Sequence, residues 1–356
     1  MFEPKFSFTS PIVNNLAKIE RLYGSLLEQA LIPSLALQLS QENQILATHH
    51  STSIEGNLLS PRDVTNIVLG AQIPTTKSER EVKNYFAVLN RINVFAKSRR
   101  PISIDLTLEL HEELMKGLLT HGVGKFRNGE VFVGHKTPQE IVVKHSPPFH
   151  SAREIENHLK EVFNWINEND EVHPLIRAAI LHHQFAYLHP FFDGNGRLAR
   201  ILTSYFLILK NYDVVKFFIL DDYYDIDRDQ YSDMLHSADG GDESKWLEYF
   251  LEGIAHSLQA AFSRLSKLKE GNIDAITGEK RVLVTAREED VIQIIIDKKA
   301  IKTSDVVETL AVTRQQAHSL LASLVKKEIL KKFGITKTSY YKLAPKQKQD
   351  IIDPRG

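Results

Sequence analysis

The densest chemistry in the chain lies in twelve residues, His189-Pro190-Phe191-Phe192-Asp193-Gly194-Asn195-Gly196-Arg197-Leu198-Ala199-Arg200. Gly194 and Gly196 flank Asn195 just before an apolar helical run. Small residues at a helix N-terminus leave backbone N–H groups free to point at a ligand, and the helix dipole favours an anion there. Arg197 and Arg200 are three residues apart and share a helix face beside that cradle. Guanidinium groups suit phosphate oxygens, often through paired hydrogen bonds. Asp193 alone would repel phosphate, but a bridging Mg²⁺ removes the conflict, because Mg²⁺ commonly uses one or two carboxylates together with phosphate oxygens. His189, with an ordinary pKa of roughly 6.5, can take a proton from a hydroxyl near neutral pH. The parts fit in-line attack on a nucleotide phosphate, with backbone amides, two arginines and a metal ion holding the developing charge. Phe191 reads as a core anchor.

The same segment is similar to the Fic family signature, HxFx(D/E)GNGRxxR, at every specified position. The resemblance implies a protein adenylyltransferase that moves AMP from ATP to Tyr, Ser or Thr hydroxyls with Mg²⁺. In that reading His189 is the general base and Asp193 the Mg²⁺ ligand. Gly194, Asn195 and Gly196 form the anion hole, and Arg197 and Arg200 bind the distal phosphates. The related Doc-type kinases carry Lys where this chain has Gly196, so the resemblance favours AMP transfer over phosphorylation.

Ser51-Thr52-Ser53-Ile54-Glu55-Gly56 resembles the family's inhibitory pattern (S/T)xxxE(G/N), placed before the catalytic motif. Gly56 reads as a helix stop, with Glu55 in the last turn. The resemblance implies that Glu55 pairs with Arg200 and blocks the γ-phosphate site. Two β-like runs, Glu130 to Val133 and Ile141 to Val143, are separated by turn chemistry over Gly134 to Pro138. They resemble the Fic flap, whose free edge would hold an extended target segment through Val131, Val133, Ile141, Val142 and Val143. By the same resemblance Tyr231, then Tyr224, lines the adenine site; a helix-packing role fits either tyrosine as well.

The elements that must position these groups are mainly α-helical. Helical periodicity is expected over 12–32, 35–55, 77–97, 106–119, 151–168, 173–188, 195–210, 227–237 and 244–268, with a further helix starting at Pro61. A polar stretch with Gly271 and Gly278 reads as a linker. Beyond it, helices over 287–298, 303–310 and 313–327, with Thr313 as N-cap, and two short β-like runs form a winged helix-turn-helix pattern. The expected organisation is an N-terminal helical domain over 1–100, a Fic core over 101–266, a linker over 267–280, a winged helix over 281–345 and a tail over 346–356.

The bulk composition is consistent with this. The chain has 356 residues, 42% hydrophobic and 25% charged, with net charge −1. It has enough length for two or three domains and no global field toward nucleic acid or membrane. No cysteine is present, which excludes disulfides and thiolate chemistry. The most apolar stretch, Ile201 to Leu220, is interrupted by Lys210, Asn211, Asp213 and Lys216, so no membrane span is expected. No signal peptide is read at the N-terminus, and a cytoplasmic location is the expectation. His182 and His183 stand before His189 at a spacing that matches no zinc motif, and most of the histidines, with His49 and His50 close to Glu55 among them, read as packing or surface residues. Residues 281–349 carry fourteen Lys or Arg against seven Asp or Glu. Early positions of the last helix, Arg314, Gln315, Gln316 and His318, could contact DNA, although such units also dock proteins. Expected partners are therefore a protein with a hydroxyl side chain, the chain itself through self-modification, a second copy in a homodimer, and DNA through 281–345. Two other readings remain open at this level: a DNA-binding regulator with a sensor-like core, and a Fic enzyme that removes AMP or transfers another nucleotide or phosphocholine.

Overall fold

The computed structural model describes residues 2–29, 33–136, 141–212, 219–269, 286–327, 329–334 and 339–344. Most of the expected linker, 270–280, and all of the expected tail, 346–356, lie outside the described residues.

The protein is mainly helical. Its N-terminal part is α1 (Ser10–Gln29), α2 (Pro33–Ile54), α3 (Pro61–Val68) and α4 (Lys77–Lys97). Local chemistry sets these boundaries. Pro33 and Pro61 open α2 and α3, where a missing N–H costs nothing. Ser60 and Thr76 cap α3 and α4 through capping boxes with Asp63 and Glu79. Gly56, at φ 89°, turns the chain out of α2.

The central part is α5 (Ile104–Leu114), the hairpin β1 (Val133–Lys136) and β2 (Ile141–His145), then α6 (Ala152–Glu168), α7 (Pro174–Leu188) and α8 (Asn195–Leu209). It continues through α9 (Asp221–Ile226), α10 (Arg228–His236) and α11 (Ser244–Lys269). α7 and α8 are buried on nearly every side, Arg177, His182, His183, Arg197 and Arg200 included. A helix surrounded in this way is a rigid element of the core. α1 packs along α11, and α2 packs against α4 and α9.

Several boundaries differ from the sequence expectation. The helix expected over 106–119 ends at Leu114, where the chain turns toward Gly117 at φ 70°. β1 begins only at Val133, so Val131 precedes it, and Gly134 to Lys136, expected as turn, pair with β2. The register shifts between Val133 and Gly134, where a glycine accommodates the irregularity. Glu55 lies one residue beyond α2 rather than in its last helical turn. The short helix α9 had no separate sequence signal.

The C-terminal unit is α12 (Ala286–Lys298), α13 (Thr303–Leu310), α14 (Arg314–Lys326) and the antiparallel pair β3 (Leu330–Phe333) and β4 (Tyr340–Leu343). Val291, Ile295, Ile301, Val306, Leu321, Leu324, Leu330 and Tyr341 form its own core. Thr313 caps α14 with Gln316, as expected, and Arg314, Gln315, Gln316 and His318 are exposed.

A buried ionic network fastens α7 to its surroundings. His183 Nδ1 lies 2.9 Å from Glu243 Oε1, and its Nε2 lies 3.1 Å from Asp239 Oδ1. Burial alone would lower the His183 pKa, but these two carboxylates overcome it and push it up to about 9. A raised pKa contributes stability that is fully present below the ordinary value and is lost as pH rises through the folded one. The melting temperature is therefore expected to fall between about pH 6.5 and 9, and His183→Gln should lower it and flatten that slope, as differential scanning fluorimetry across the range would show.

Candidate active site: the loop between the two central helices

The loop joining α7 to α8 is held from three sides. His189 caps α7 with a left-handed backbone, φ 46°, which is uncommon for a residue with a side chain. The buried Arg127 stabilises it. Its Nε donates to the His189 carbonyl (2.7 Å), Nη2 to Leu188 (3.1 Å) and Nη1 to Gly129 (2.6 Å). The bonds to Leu188 and His189 satisfy carbonyls at the end of α7 that have no helical partner. The Asn195 side chain clamps the middle, accepting from Phe191 N–H and donating to Phe191 O, both at 2.8 Å. These two bonds hold the side chain against the loop's own main chain. On the third side, His111 stacks on Phe191 at 3.6 Å. Its Nδ1 accepts from Gly124 N–H (3.0 Å), so Nε2 carries the proton and donates to the Asp193 carbonyl (3.1 Å). Gly194 is required twice, for φ 83° and because a Cβ there would meet Met115 Sδ at 2.7 Å.

This frame places an imidazole next to an anion cradle. Burial pushes the His189 pKa down to about 4, so the ring is neutral and free to accept a proton at pH 7. The first helical bond of α8 runs from Leu198 N–H to Gly194 O (2.9 Å), so the amides of Asn195, Gly196 and Arg197 precede it. Arg197 Nη2 donates to Asp193 Oδ1 (2.7 Å), and Arg197 Nη1 lies 3.4 Å from Glu81 Oε1. Arg200 is gripped from α2 and α9. Its Nε donates to Ser51 Oγ (2.7 Å), its Nη2 to Ser51 O (2.8 Å), and Nε lies 3.0 Å from Asp221 Oδ1. Arg197 Nε and Arg200 Nη1 are buried donors with no hydrogen-bond partner among the described residues.

Glu55 completes the site. Its Oε1 accepts from Arg200 Nη2 at 3.0 Å, as expected from the sequence. Burial would raise this carboxyl, but the guanidinium groups of Arg200 and Arg197 overcome it and hold the pKa below the ordinary value. A Cβ on Gly196 would stand only 2.3 Å from Glu55 Oε1. The carboxylate thus lies against the first turn of α8, where the dipole and open amides favour an anion.

The two tyrosines separate. Tyr231 OH lies 2.8 Å from His182 Nε2, and the phenol also interacts with Arg200; burial pushes its pKa up to about 12. Tyr224 is 0% exposed, enclosed by His182, Tyr231, Trp246 and Tyr249, and presents no ligand surface in this conformation. In the hairpin, Val133 and Gly134 face His145 and Val143 in register, and Ile141 and Val142 pair with Lys136 and His135. Val131 and Val133 are half-buried, whereas Val143 and the neighbouring Phe132 are exposed. His145 Nε2 lies 2.7 Å from the Tyr187 carbonyl, tying the end of β2 to α7. Sequence reasoning missed His111, Arg127 and Asp221, which lie far from the motif in sequence and meet it only in the fold.

The comparisons with known proteins agree with this geometry. The Fic/DOC family model matches residues 101–207. The chain is similar to the protein adenylyltransferase fic-1 of Caenorhabditis elegans, at 28% identity over 71% of this chain and 47% of that protein. Its similarity to fic-1 of Caenorhabditis briggsae is 30% over the same shares. The chain spans about half the length of the curated relatives it matches. Among solved structures, a Fic family protein from Desulfovibrio desulfuricans G20 has a TM-score of 0.63 at 24% identity, covering 98% of this chain and all of that one. Fic-1 from C. elegans has a TM-score of 0.57 at 23% identity, over 72% of this chain and 73% of that one. No described helix is long and apolar enough to cross a membrane. The motif loop, the helices that frame it and the matched family model lead to one conclusion: residues 101–207 form a Fic/DOC family domain.

Proposed function

We propose that the protein transfers AMP from ATP to hydroxyl side chains of target proteins and that Glu55 restrains this activity. The observation that carries the reading is the convergence of a neutral His189, the open first turn of α8 and two buried guanidinium groups with unpartnered donors. In this reading the target hydroxyl oxygen attacks the α-phosphorus, the bond to the diphosphate breaks, and the hydroxyl proton passes to His189. The amides of Asn195 and Gly196 and the side chains of Arg197 and Arg200 take up phosphate charge. Asp193 fits a Mg²⁺ role: Oδ1 is held by Gly194 N–H and Arg197, while Oδ2 makes no hydrogen bond among the described residues. Mg²⁺ held there would neutralise phosphate charge. The exposed Phe132 and Val143, at 62% and 48%, offer the hairpin an apolar edge for an extended target segment. The similarity to proteins named adenylyltransferases supports this chemistry over phosphorylation.

Glu55 and a γ-phosphate oxygen would compete for Arg200 and the first turn of α8. A second role, DNA binding by the C-terminal unit, is favoured by the exposed Arg314, Gln315, Gln316 and His318 at the start of α14.

Glu55→Gly should raise incorporation of α-phosphate label from ATP by roughly 10- to 150-fold, the worth of one charge-assisted hydrogen bond; an unchanged rate removes the brake from the account. His189→Ala in that background should cost about 10²–10⁴-fold, with ATP binding retained. Because the His189 pKa is depressed, and Glu55 is one of the charges that raise it, the Glu55→Gly enzyme should stay active as pH falls through 6.5. Its kcat/KM should decline only near about pH 4 or below. An acidic limb centred at the ordinary histidine value would refute the burial argument.

A further inference from the structure

One turn before Glu55, two adjacent histidines meet a carboxylate from another helix. His50 Nδ1 lies 2.8 Å from Asp225 Oδ2. His49, His50 and Asp225 each offer one ligand atom, a ring nitrogen or a carboxylate oxygen, and these three atoms all lie within 4.8 Å of one another. The His49 Nδ1 atom is buried and has no hydrogen-bond partner among the described residues. A buried lone pair or N–H with no partner carries a desolvation penalty that a ligand would remove.

The carboxylate is oriented from behind. Arg228 Nε donates to Asp225 Oδ1 (2.8 Å), which leaves Oδ2 directed at the histidines, and Arg228 Nη2 donates to Ser53 Oγ (2.7 Å). Such outer bonds, holding one oxygen of a ligating carboxylate, are the usual support of a metal centre. The His50 and Asp225 side chains are 24% and 11% exposed, so an ion can reach them. A second histidine–carboxylate group among the described residues, His145, His236 and Asp239, is already paired: Asp239 Oδ2 meets both imidazoles, and His145 Nε2 bonds the Tyr187 carbonyl.

We propose that His49, His50 and Asp225 bind a divalent transition-metal ion of the zinc class, which strengthens the Glu55 brake. Two imidazoles and one carboxylate suit zinc or cobalt far better than Mg²⁺, and water would complete a four-ligand shell. Ligands of a tetrahedral zinc ion stand about 3.3 Å apart, so small side-chain rotations close the shell. The ion takes the place of the proton between His50 and Asp225 and engages the orphaned His49 nitrogen. Its consequence follows from connectivity. His49 and His50 directly precede Ser51, which grips Arg200 from α2, and Asp225 lies on α9 with Asp221, which grips Arg200 from the other side. A bridge between α2 and α9 fixes both halves of that grip and the chain that carries Glu55. The regulatory half of this inference rests on the proposed function; the binding half does not.

The test has two arms on the full-length protein. Without nucleotide, calorimetry with Zn²⁺ and absorption spectroscopy with Co²⁺ should show one bound ion, with affinity reduced about 10-fold or more in His49→Gln and in His50→Gln. Circular dichroism checks folding, and His50→Gln retains a donor for Asp225. Equal affinity in the parent and in the variant carrying both substitutions overturns the site. In the second arm, Zn²⁺ should slow AMP transfer several-fold in the parent and leave Glu55→Gly and the double histidine variant unaffected. Equal slowing of all three, meaning zinc at the nucleotide site, overturns the link to the brake. Absence of AMP transfer in Glu55→Gly would count against the proposed function, while the binding arm would still decide the metal site.

Discussion

A guanidinium group buried without an anion is costly, and Arg200 is 2% exposed at the centre of the helical core. Most of the site can be read as the answer to that constraint. Ser51 supplies a hydroxyl and a carbonyl, Asp221 a carboxylate, and Glu55 a second carboxylate. Burial raises the Asp221 pKa to about 6, against the pull of Arg200, so this partner holds its charge less firmly than Glu55 does. The same groups that would hold a phosphate need an anion when none is bound. On the proposed reading, Glu55 fills that need and keeps the site shut at once, so restraint of the activity and stability of the core come from one ion pair. This is the usual tension between a stable fold and a site built for charge.

The loop before α8 shows how much structure such a site requires. A left-handed histidine, a left-handed glycine and a helix start follow one another within seven residues. Arg127, His111 and Asn195 all act on main-chain groups of this loop. Their bonds fix where the imidazole and amides stand before any ligand arrives, and a preorganised site of this kind loses little free energy to reorganisation during reaction. α7 and α8, packed on nearly all sides, transmit that rigidity to the loop.

Much was legible in the sequence because the signals are local. Caps and periodicity located α4, α8 and α13 to within a residue or so. The Gly-Asn-Gly turn before an apolar run marked an anion-favouring helix start, since both the flexibility and the dipole come from neighbouring residues. Resemblance, rather than spacing, joined Glu55 to Arg200 across 145 positions. The hairpin was legible as a hairpin but not in register, because Gly134 to Lys136 read as turn chemistry until a partner strand is present to pair with them.

What the chain alone determined was the identity and order of the reacting groups: a histidine, an acid, small residues and two arginines on one face of a helix. Tertiary packing decided their states. The burial that keeps His189 neutral, the placement of Tyr231 beside Arg200, the enclosure of Tyr224 and the meeting of His49 and His50 with Asp225 all involve elements far apart in sequence. Desolvation and charge pairing act through space and depend on which atoms exclude water. No local pattern encodes that, so it became visible only once the helices were packed.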